Sequence, residues 1–328
     1  MKYIVITSIF EPTEAVVKFS KLTDYKLIVV GDKKSPPVWE CDNVTYLPVE
    51  KQTAMDFKLL DVLPYNHYCR KMIGYLYAIQ NGAEIIIDTD DDNIPKQNWE
   101  FPSFTGDYNC IPPNKGFINI YKYYTDQHIW PRGLPLRLIT QDFSDVFANM
   151  KSQKTDVGVW QGLADEDPDV DAIYRLTSNT PCYFNENPAC VLEKGTLTPF
   201  NTQNTAIRKE LFPLMYLPTY VTFRFTDILR GLIMQPIMWL YGYNLGFTNA
   251  TVVQKRNEHD FMKDFESEVP MFLDTENVID LTIKNTKPSD SIEDNLHNTY
   301  TALLNKGIVK QEEIKTLEAW LMDIKKLT

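Results

Sequence analysis

The chain has 328 residues, 44% of them hydrophobic, and this length and composition predict a globular protein with one large core or two smaller ones. Its formal net charge of −11 excludes a general attraction to nucleic acid, because nucleic-acid-binding proteins present a basic face to the phosphates. If such an acidic protein binds an anionic nucleotide, a divalent cation held by carboxylates has to neutralise the phosphates, and Mg²⁺ or Mn²⁺ is the natural candidate.

Neither disulfide bonds nor a membrane span is predicted. The five cysteines are widely spaced and form no CxxC pair, so we expect reduced, structural thiols. The longest apolar run, 228–240, is shorter than the roughly 20 residues of a membrane span, and it contains Arg230, Gly231 and Pro236. The N-terminal segment has no small-residue cleavage site of the kind that ends a signal peptide. We therefore expect a cytoplasmic protein.

The first hundred residues predict alternating strands and helices. Four short β-branched or apolar runs predict strands, at 2–7, 26–30, 44–47 and 84–87. Apolar residues at helical spacing predict a helix over 15–22 and another over 68–81, which ends at Asn81-Gly82. This alternation is typical of a parallel sheet with helices on both faces, whose ligands bind at the carboxyl ends of the strands.

The rest of the chain predicts loops and then helices. Residues 101–218 are rich in Pro, Asn and Gly and predict long loops, with short strands at 116–120 and 156–160. Residues 291–327 predict two amphipathic helices separated at Gly307. Their predicted inward positions are Leu303, Leu304, Leu317, Trp320, Leu321 and Ile324.

An acidic cluster follows the predicted strand at 84–87 and contains Asp88, Asp90, Asp91 and Asp92. Carboxylates this close together repel one another, and a bound cation would neutralise them. Alternate residues of an extended chain point the same way, so we expect Asp88 and Asp90 to face one pocket. Solvated loop acids are the ordinary explanation of an Asp-x-Asp (DXD) pattern, but the position directly after a strand favours a metal site. We predict Asp90, Asp91 and Asp92 as ligands of Mn²⁺ or Mg²⁺.

Other candidates for nucleotide contacts lie at the ends of the predicted elements. Thr7 and Ser8 end the first strand and Asp32 follows the second, where α/β nucleotide sites draw contacts to base and ribose. Arg70 and Lys71 begin a helix, where cationic side chains can pair with a diphosphate. Ordinary turn residues and a solvated helix terminus are the alternative interpretations.

Three further sets of residues have two interpretations each. The acidic run at 161–171 contains a candidate general base or forms an exposed acidic turn. Arg132 and Arg224 lie among apolar and aromatic residues, as phosphate or carboxylate clamps or as internal ion pairs. His259 is a metal ligand or a surface histidine.

Several of these segments together resemble the STELLO-type (DUF288) glycosyltransferase-like proteins, which have a GT-A-like architecture. The matching segments cover most of residues 68–240, and they are 70–83, 88–91, 130–133, 161–163, 167–172, 200–205 and 217–230. The first 60 residues and the C-terminal helices match only in general pattern. The resemblance implies an α/β fold with a GT-A-like (Rossmann-like) mixed sheet flanked by helices and a C-terminal helical appendage.

The resemblance also implies a domain division and an activity. Residues 1–256 form a GT-A-like catalytic domain, with a nucleotide-sugar half over about 1–100 and an acceptor half over about 101–256, and 257–328 form a helical region. The implied activity is a metal-dependent hexosyl- or pentosyltransferase with a nucleotide-sugar donor, UDP-sugar being favoured, and a glycan or other hydroxyl acceptor.

The resemblance assigns roles to the candidate residues. Asp88 contacts the donor sugar or ribose, and Arg132 is a catalytic candidate and clamp. Asp169 or Asp171 activates the acceptor if the reaction inverts, because an inverting displacement needs a base opposite the leaving group. The remaining donor-site candidates are Thr7, Ser8, Asp32, Arg70, Lys71, Arg224 and Arg230.

A weaker similarity is to the reversibly glycosylated polypeptides, which are UDP-arabinopyranose mutases with a GT-A-like fold. It depends on the three consecutive aspartates, on 132–135 and on 158–171. It implies that Arg132 or Arg137 stands near the anomeric carbon and that no separate acceptor is needed. A non-catalytic sugar-binding scaffold is the third interpretation.

Overall fold

The structure is a computed structural model that describes residues 1–255 and 260–328. Within these residues the strands are β1 (Lys2–Thr7), β2 (Lys26–Val30), β3 (Val44–Leu47), β4 (Ile85–Thr89), β5 (Asn93–Pro95), β6 (Thr105–Ile111), β7 (Gly116–Phe117), β8 (Lys151–Glu166), β9 (Cys190–Leu192), β10 (Thr196–Leu197), β11 (Asn204–Arg208) and β12 (Asn244–Gln254). The α-helices are α1 (Glu14–Phe19), α2 (Val49–Thr53), α3 (Lys71–Gln80), α4 (Tyr121–Tyr124), α5 (Ser144–Ala148), α6 (Ala172–Thr177), α7 (Thr226–Leu240), α8 (Phe261–Asn285), α9 (Ile292–Lys306) and α10 (Gln311–Leu327).

Ten of the strands form one mixed sheet in the order β3-β2-β1-β4-β11-β8-β6-β9-β12-β5. The first four strands of this order run parallel. β11 lies antiparallel between β4 and β8. β8 pairs with β6 over its first residues and with β12 over the remainder. The expected mixed sheet flanked by helices is confirmed.

The alternation of side chains along the strands explains why helices cover both faces of the sheet. Val5 and Ile28 belong to the core under α3, whereas Ile4 and Val29 belong to a second core under α1. Successive residues of a strand point to opposite faces, so these fully apolar strands have to be covered twice. The five free cysteines are in agreement with the expected reduced thiols.

Gly74 allows α3 to lie close to the sheet. A Cβ atom at this position would come within 2.5 Å of Val5 Cγ1 and 2.7 Å of Val30 Cγ2. Both valines are buried in a close-packed core, so neither side chain can move aside freely. We therefore expect Gly74→Ala to lower the free energy of unfolding by about 1–3 kcal/mol, although alanine favours the helix. Urea denaturation measures this change, and an unchanged midpoint would contradict the close approach.

The predicted C-terminal helices are present as α9 and α10, and Gly307 ends α9 in the left-handed conformation with φ 81°. They pack on the main core, with Leu303, Trp320 and Ile324 fully buried. Glu313 of α10 also accepts hydrogen bonds from the backbone N–H groups of Thr219 and Tyr220. The division after residue 256 stays a prediction, since 256–259 lie outside the described residues. None of the described helices combines the length and the hydropathy of a membrane span.

Candidate functional site

Two neighbouring cavities open where the parallel strands end. The first, which we call the acidic pocket, has a volume of about 240 Å³. Its charged lining residues are Asp90, Asp91, Asp92, Asp169, Asp227, Arg132 and Arg224. The second, which we call the strand-end pocket, has a volume of about 260 Å³ and is lined by Thr7, Ser8, Asp32, His67 and Arg70, among others. Thr7, Tyr68 and Asp91 line both cavities, which therefore adjoin.

The strand-end pocket brings together four of the predicted donor-site residues. Thr7 and Ser8 lie at the end of β1, and Asp32 follows β2, because parallel neighbours end at the same edge of the sheet. Asp32 Oδ2 accepts a hydrogen bond of 3.1 Å from the His67 backbone N–H. The Arg70 guanidinium lies 4.3 Å from the centre of the Tyr65 ring and donates to Gln52. The predicted grouping is observed, and the binding roles stay predictions.

Asp88 does not reach either pocket, which corrects its predicted contact with the donor. Its side chain is fully buried, and Oδ2 accepts hydrogen bonds from Tyr75 Oη at 2.5 Å and Arg230 Nη1 at 2.8 Å. Oδ1 lies 2.7 Å from Lys71 Nζ. Asp88 and Asp90 do point the same way, as predicted, since both contact Lys71. However, Asp88 is still within β4 and faces the core, whereas Asp90 lies beyond the end of the strand.

Lys71 and Arg230 support the acidic pocket from behind and do not line it, so their predicted direct contacts with the donor are corrected. Both side chains are buried. Lys71 Nζ donates to Asp90 Oδ1 at 2.8 Å. Burial alone lowers the pKa of Lys71, but the carboxylates of Asp88 and Asp90 outweigh it and raise that pKa above its ordinary value. Lys71 therefore remains charged and fixes the position of Asp90.

The three consecutive aspartates all line the acidic pocket. Asp91 Oδ2 accepts a hydrogen bond of 2.5 Å from Ser8, and Asp92 Oδ2 accepts one of 3.1 Å from Gln254. Loss of contact with water raises the pKa of the Asp90 carboxylate to about 7. Lys71 lowers this pKa and the neighbouring carboxylate of Asp92 raises it further. Five carboxylates and two guanidinium groups line the described part of the pocket, so its lining is predominantly acidic.

The residues present fit a cation that a diphosphate completes. Carboxylate oxygens are the ligands that Mg²⁺ and Mn²⁺ prefer, and Mg²⁺ is commonly held by one or two carboxylates together with substrate phosphates. No described residue donates a hydrogen bond to Asp90 Oδ2, which leaves that oxygen available to a ligand. Across 1–255 and 260–328, no group of three or more His, Cys, Asp or Glu is placed to hold an ion without such help. His259, for which the sequence left a metal ligand or a surface histidine open, lies outside the described residues.

Arg132 is the centre of a second charged cluster in the same pocket. All five of its N–H groups donate hydrogen bonds, two to Asp169, two to Asp227 and one to the carbonyl of Arg224. The two carboxylates raise the pKa of Arg132 well above its ordinary value in spite of burial. Of the two interpretations left open by the sequence, the structure thus favours an internal ion pair for this arginine.

The two candidate bases lie in different surroundings. Asp169 lines the pocket, but Arg132 and Arg224 outweigh the effect of burial and lower its pKa to about 2. A carboxylate with so low a pKa is a weak general base near neutral pH. Asp171 does not line the pocket; it caps α6 by accepting from the Tyr174 N–H at 2.9 Å, and it also accepts from Trp130 Nε1 at 2.7 Å. The predicted use of Asp171 as a base is corrected, because its fully buried carboxylate is occupied by these two donors.

Arg137, the alternative to Arg132 in the mutase interpretation, lies away from the acidic pocket. Its side chain is 64% exposed and forms an ion pair of 2.5 Å with Glu276 of α8. If an arginine lies near the reacting carbon, the geometry therefore favours Arg132.

Sequence reasoning missed seven residues that line the acidic pocket, namely Asn201, Gln203, Thr202, Tyr68, Phe223, Asp227 and Gln254. The segments 200–205 and 217–230 carried part of the family resemblance, but only Arg224 and Arg230 were assigned roles within them. A polar amide-rich segment just before β11 was the available signal for the first two residues.

Comparison with known proteins shows which proteins this chain is similar to. A family model described as STELLO glycosyltransferases matches residues 224–328. Two relatives from Arabidopsis thaliana, named probable glycosyltransferase STELLO2 and probable glycosyltransferase STELLO1, are 26% and 25% identical to this chain. Both alignments cover 98% of this chain and 44% of the relative. The chain is therefore similar to the STELLO glycosyltransferases.

The chain spans less than half the length of the two Arabidopsis proteins that it matches. The family match begins at Arg224 and includes α7 to α10, so the C-terminal helices resemble the family more specifically than their sequence pattern indicated. A solved structure titled "Crystal Structure of a Mycobacterial Protein" covers 85% of the chain, and the alignment covers 74% of that protein, with 12% identity and a TM-score of 0.40.

Proposed function

We propose that this chain is a metal-dependent glycosyltransferase that moves a sugar from a nucleoside-diphosphate sugar to a hydroxyl group of a glycan. One observation carries the proposal: five carboxylates and only two guanidinium groups line the described part of the acidic pocket, at the carboxyl ends of parallel strands. Both guanidinium groups are paired with carboxylates. A diphosphate entering this pocket would be repelled unless a divalent cation accompanied it.

The two pockets give the donor an extended binding site. The strand-end pocket offers Thr7, Ser8 and Asp32 to the nucleoside, where α/β proteins bind base and ribose. The diphosphate then lies over Asp90, Asp91 and Asp92. Of these three aspartates, Asp91 also lines the strand-end pocket. A bound Mn²⁺ or Mg²⁺ would stabilise the charge that develops on the leaving nucleoside diphosphate. UDP is the nucleotide that we expect from the family resemblance.

The chain's own residues hold these carboxylates in place. Lys71 fixes Asp90, Ser8 fixes Asp91 and Gln254 fixes Asp92. Each contact uses one carboxylate oxygen and fixes the orientation of the other. Such support matters because a reacting group displaced by about 1 Å can lose on the order of 100-fold in rate.

Phe223 supports a carbohydrate acceptor at the mouth of the acidic pocket. Its side chain is 61% exposed although it is large and apolar, and it lines the pocket. The ring lies edge-to-face against Tyr68, with ring centres 5.8 Å apart. Aromatic rings at the edge of a polar pocket provide apolar surface for the C–H face of a sugar ring. We propose that the acceptor sugar packs here.

We expect Phe223→Ala to raise the KM for the acceptor by about 10-fold, because loss of the apolar contact between ring and sugar would cost about 1.4 kcal/mol, which corresponds to a factor of ten. The affinity for donor nucleotide should stay unchanged. Initial rates at varied acceptor concentration measure this. Tyr183→Ala is the matched control, since that ring is 64% exposed and lines neither pocket. An unchanged acceptor KM in Phe223→Ala would contradict the proposed contact.

Product analysis tests the proposed activity. The protein is incubated with Mn²⁺ and a panel of UDP- and GDP-sugars, with and without oligosaccharide acceptors, and the products are identified by mass spectrometry and sugar chromatography. We expect acceptor-dependent release of nucleoside diphosphate and an elongated acceptor. An isomerised nucleotide sugar formed without acceptor would identify a mutase instead, and binding without turnover of any donor would identify a scaffold.

A further inference from the structure

Helix α8 places a buried carboxylate, that of Glu268, behind the residues that line the acidic pocket. Glu268 lies in the first half of α8 (Phe261–Asn285). Its side chain is fully buried, although α8 is otherwise amphipathic and rich in charged residues. A buried carboxylate is unfavourable unless hydrogen bonds and a cationic partner compensate for the lost water. Its partners therefore indicate what the helix holds in place.

Glu268 joins two segments that meet at the pocket. Its Oε1 accepts a hydrogen bond of 2.9 Å from Arg224 Nε and also lies 2.9 Å from Arg224 Nη2. Its Oε2 accepts one of 2.7 Å from the backbone N–H of Ala172, the first residue of α6. One carboxylate thus fixes a pocket-lining arginine and the start of the helix that follows Asp169.

The neighbouring residue extends the same contact. Ser267 Oγ accepts a hydrogen bond of 3.2 Å from the Arg224 backbone N–H, and its carbonyl accepts one of 2.6 Å from Thr222 Oγ1. The Thr222 side chain and the Arg224 backbone N–H on either side of Phe223 are therefore both held by α8, and Phe223 lies at the pocket mouth.

Arg224 passes the contact to the second charged cluster. Its Nη2 donates to the Val170 carbonyl at 3.2 Å and lies 3.8 Å from Asp169 Oδ1. Its own carbonyl accepts a hydrogen bond from Arg132. By contrast, the aspartates on the nucleotide side are held by Lys71, Ser8 and Gln254, which belong to α3, the end of β1 and β12.

We infer that Glu268 is a positioning residue for the acceptor side of the acidic pocket, where it fixes Arg224 and the segment that bears Phe223. This inference rests on the proposed transferase function. Glu268 acts on the geometry of the reacting groups and not on nucleotide binding. The helical region after residue 260 is accordingly required for transfer, although its residues lie outside the pocket lining.

The test compares Glu268→Gln with Glu276→Gln, an exposed glutamate on the same helix. A glutamine at 268 has one acceptor oxygen for the two donors Arg224 Nε–H and Ala172 N–H, so one donor loses its partner. We expect Glu268→Gln to lower kcat for the best donor and acceptor of the product panel on the order of 100-fold. The Kd for UDP with Mn²⁺ should stay within about 2-fold of wild type, well below a tenfold change.

A second variant and a spectroscopic readout keep this test decisive. Ser267→Ala keeps the ion pair and removes the side-chain acceptor of the Arg224 backbone N–H. We expect it to lower kcat by a smaller factor than Glu268→Gln does. It therefore tests the same contact even if Glu268→Gln does not fold. In ¹⁵N spectra of wild type, the Arg224 Nε–H should exchange slowly with solvent, and this protection should be lost in Glu268→Gln.

Two results would overturn the inference: wild-type kcat in both variants, or a fall in UDP affinity as large as the fall in kcat. The failure of the proposed function is distinguishable, because wild type itself would then bind no nucleoside diphosphate with Mn²⁺. In that case unchanged protection of the Arg224 Nε–H in Glu268→Gln would still contradict the positioning contact, and lost protection would support it.

Discussion

Asp90→Asn is expected to weaken Mn²⁺-dependent binding of UDP by about 100-fold or more, since changing even a residue that only supports a metal ligand costs roughly 10- to 100-fold. Asp90 is the pocket carboxylate whose second oxygen receives no hydrogen bond from the described residues. Asparagine removes the negative charge, and when its Oδ1 accepts from Lys71 it presents an NH2 group, which is no metal ligand, in place of Oδ2. Calorimetric titration of UDP in the presence of Mn²⁺ measures the loss.

Asp107→Asn is the matched control, because Asp107 is exposed on β6 and lines neither pocket. The melting temperature of Asp90→Asn without Mn²⁺ should remain close to that of wild type, since the lost contact with Lys71 is offset by relief of the repulsion among the aspartates. A variant that binds UDP and Mn²⁺ as well as wild type does would show that Asp90 is not a ligand.

Arg132→Ala should have the largest effect on stability among the pocket residues. Removing one partner of a buried ion pair typically costs about 3–5 kcal/mol, because the remaining charges stay buried without compensation. Here two carboxylates, Asp169 and Asp227, lose the donor of four hydrogen bonds. Transfer activity should be lost together with stability, because both carboxylates line the pocket. Urea denaturation followed by fluorescence measures the free energy of unfolding.

Arg137→Ala serves as the control for this prediction, since Arg137 forms an exposed ion pair with Glu276 at the surface. Such exposed pairs contribute little to stability, so we expect an unfolding midpoint near that of wild type. The comparison also bears on the mutase alternative, because activity should depend on Arg132 and not on Arg137. An unfolding midpoint of Arg132→Ala equal to that of wild type would contradict the role of Arg132 as the centre of the buried cluster.

The first half of the fold was readable from local sequence. β1, β2 and β3 have the predicted bounds, because their β-branched runs are short, mostly apolar and followed by turn residues. The helix predicted over 68–81 is α3 preceded by a short 3₁₀ turn at Tyr68–Arg70. Apolar periodicity was sufficient here because each element packs on its neighbours in sequence.

The second half was not readable in this way. β8 extends over 16 residues, of which only 156–160 were predicted as a strand, and it ends within the run interpreted as an acidic turn. Its pairing depends on β11 and β12, which lie far away along the chain, so no local pattern indicated its length. The 25-residue helix α8 lies within the predicted helical region 257–328, but its bounds were not predicted, and Pro270 inside it has the appearance of a helix breaker.

The candidate site was readable in part for the same reason. The acidic cluster was located by its position after a strand, and that position follows from topology. Which aspartate faces the core and which faces the pocket depends on where β4 ends, at Thr89, and a difference of two residues decides it for Asp88 and Asp90. The ion pairs of Arg132 join residues 37 and 95 positions apart, and sequence alone gives no distance between them.

Titration of UDP into the wild-type protein by isothermal calorimetry, once with Mn²⁺ and once with EDTA, is the most direct experiment on the acidic pocket. We predict saturable binding with Mn²⁺ and none with EDTA, because five carboxylates repel the diphosphate when no cation is present. Equal affinity under both conditions would show that the aspartates do not act through a metal. Absence of binding under both, repeated with GDP, would contradict a nucleoside-diphosphate site altogether.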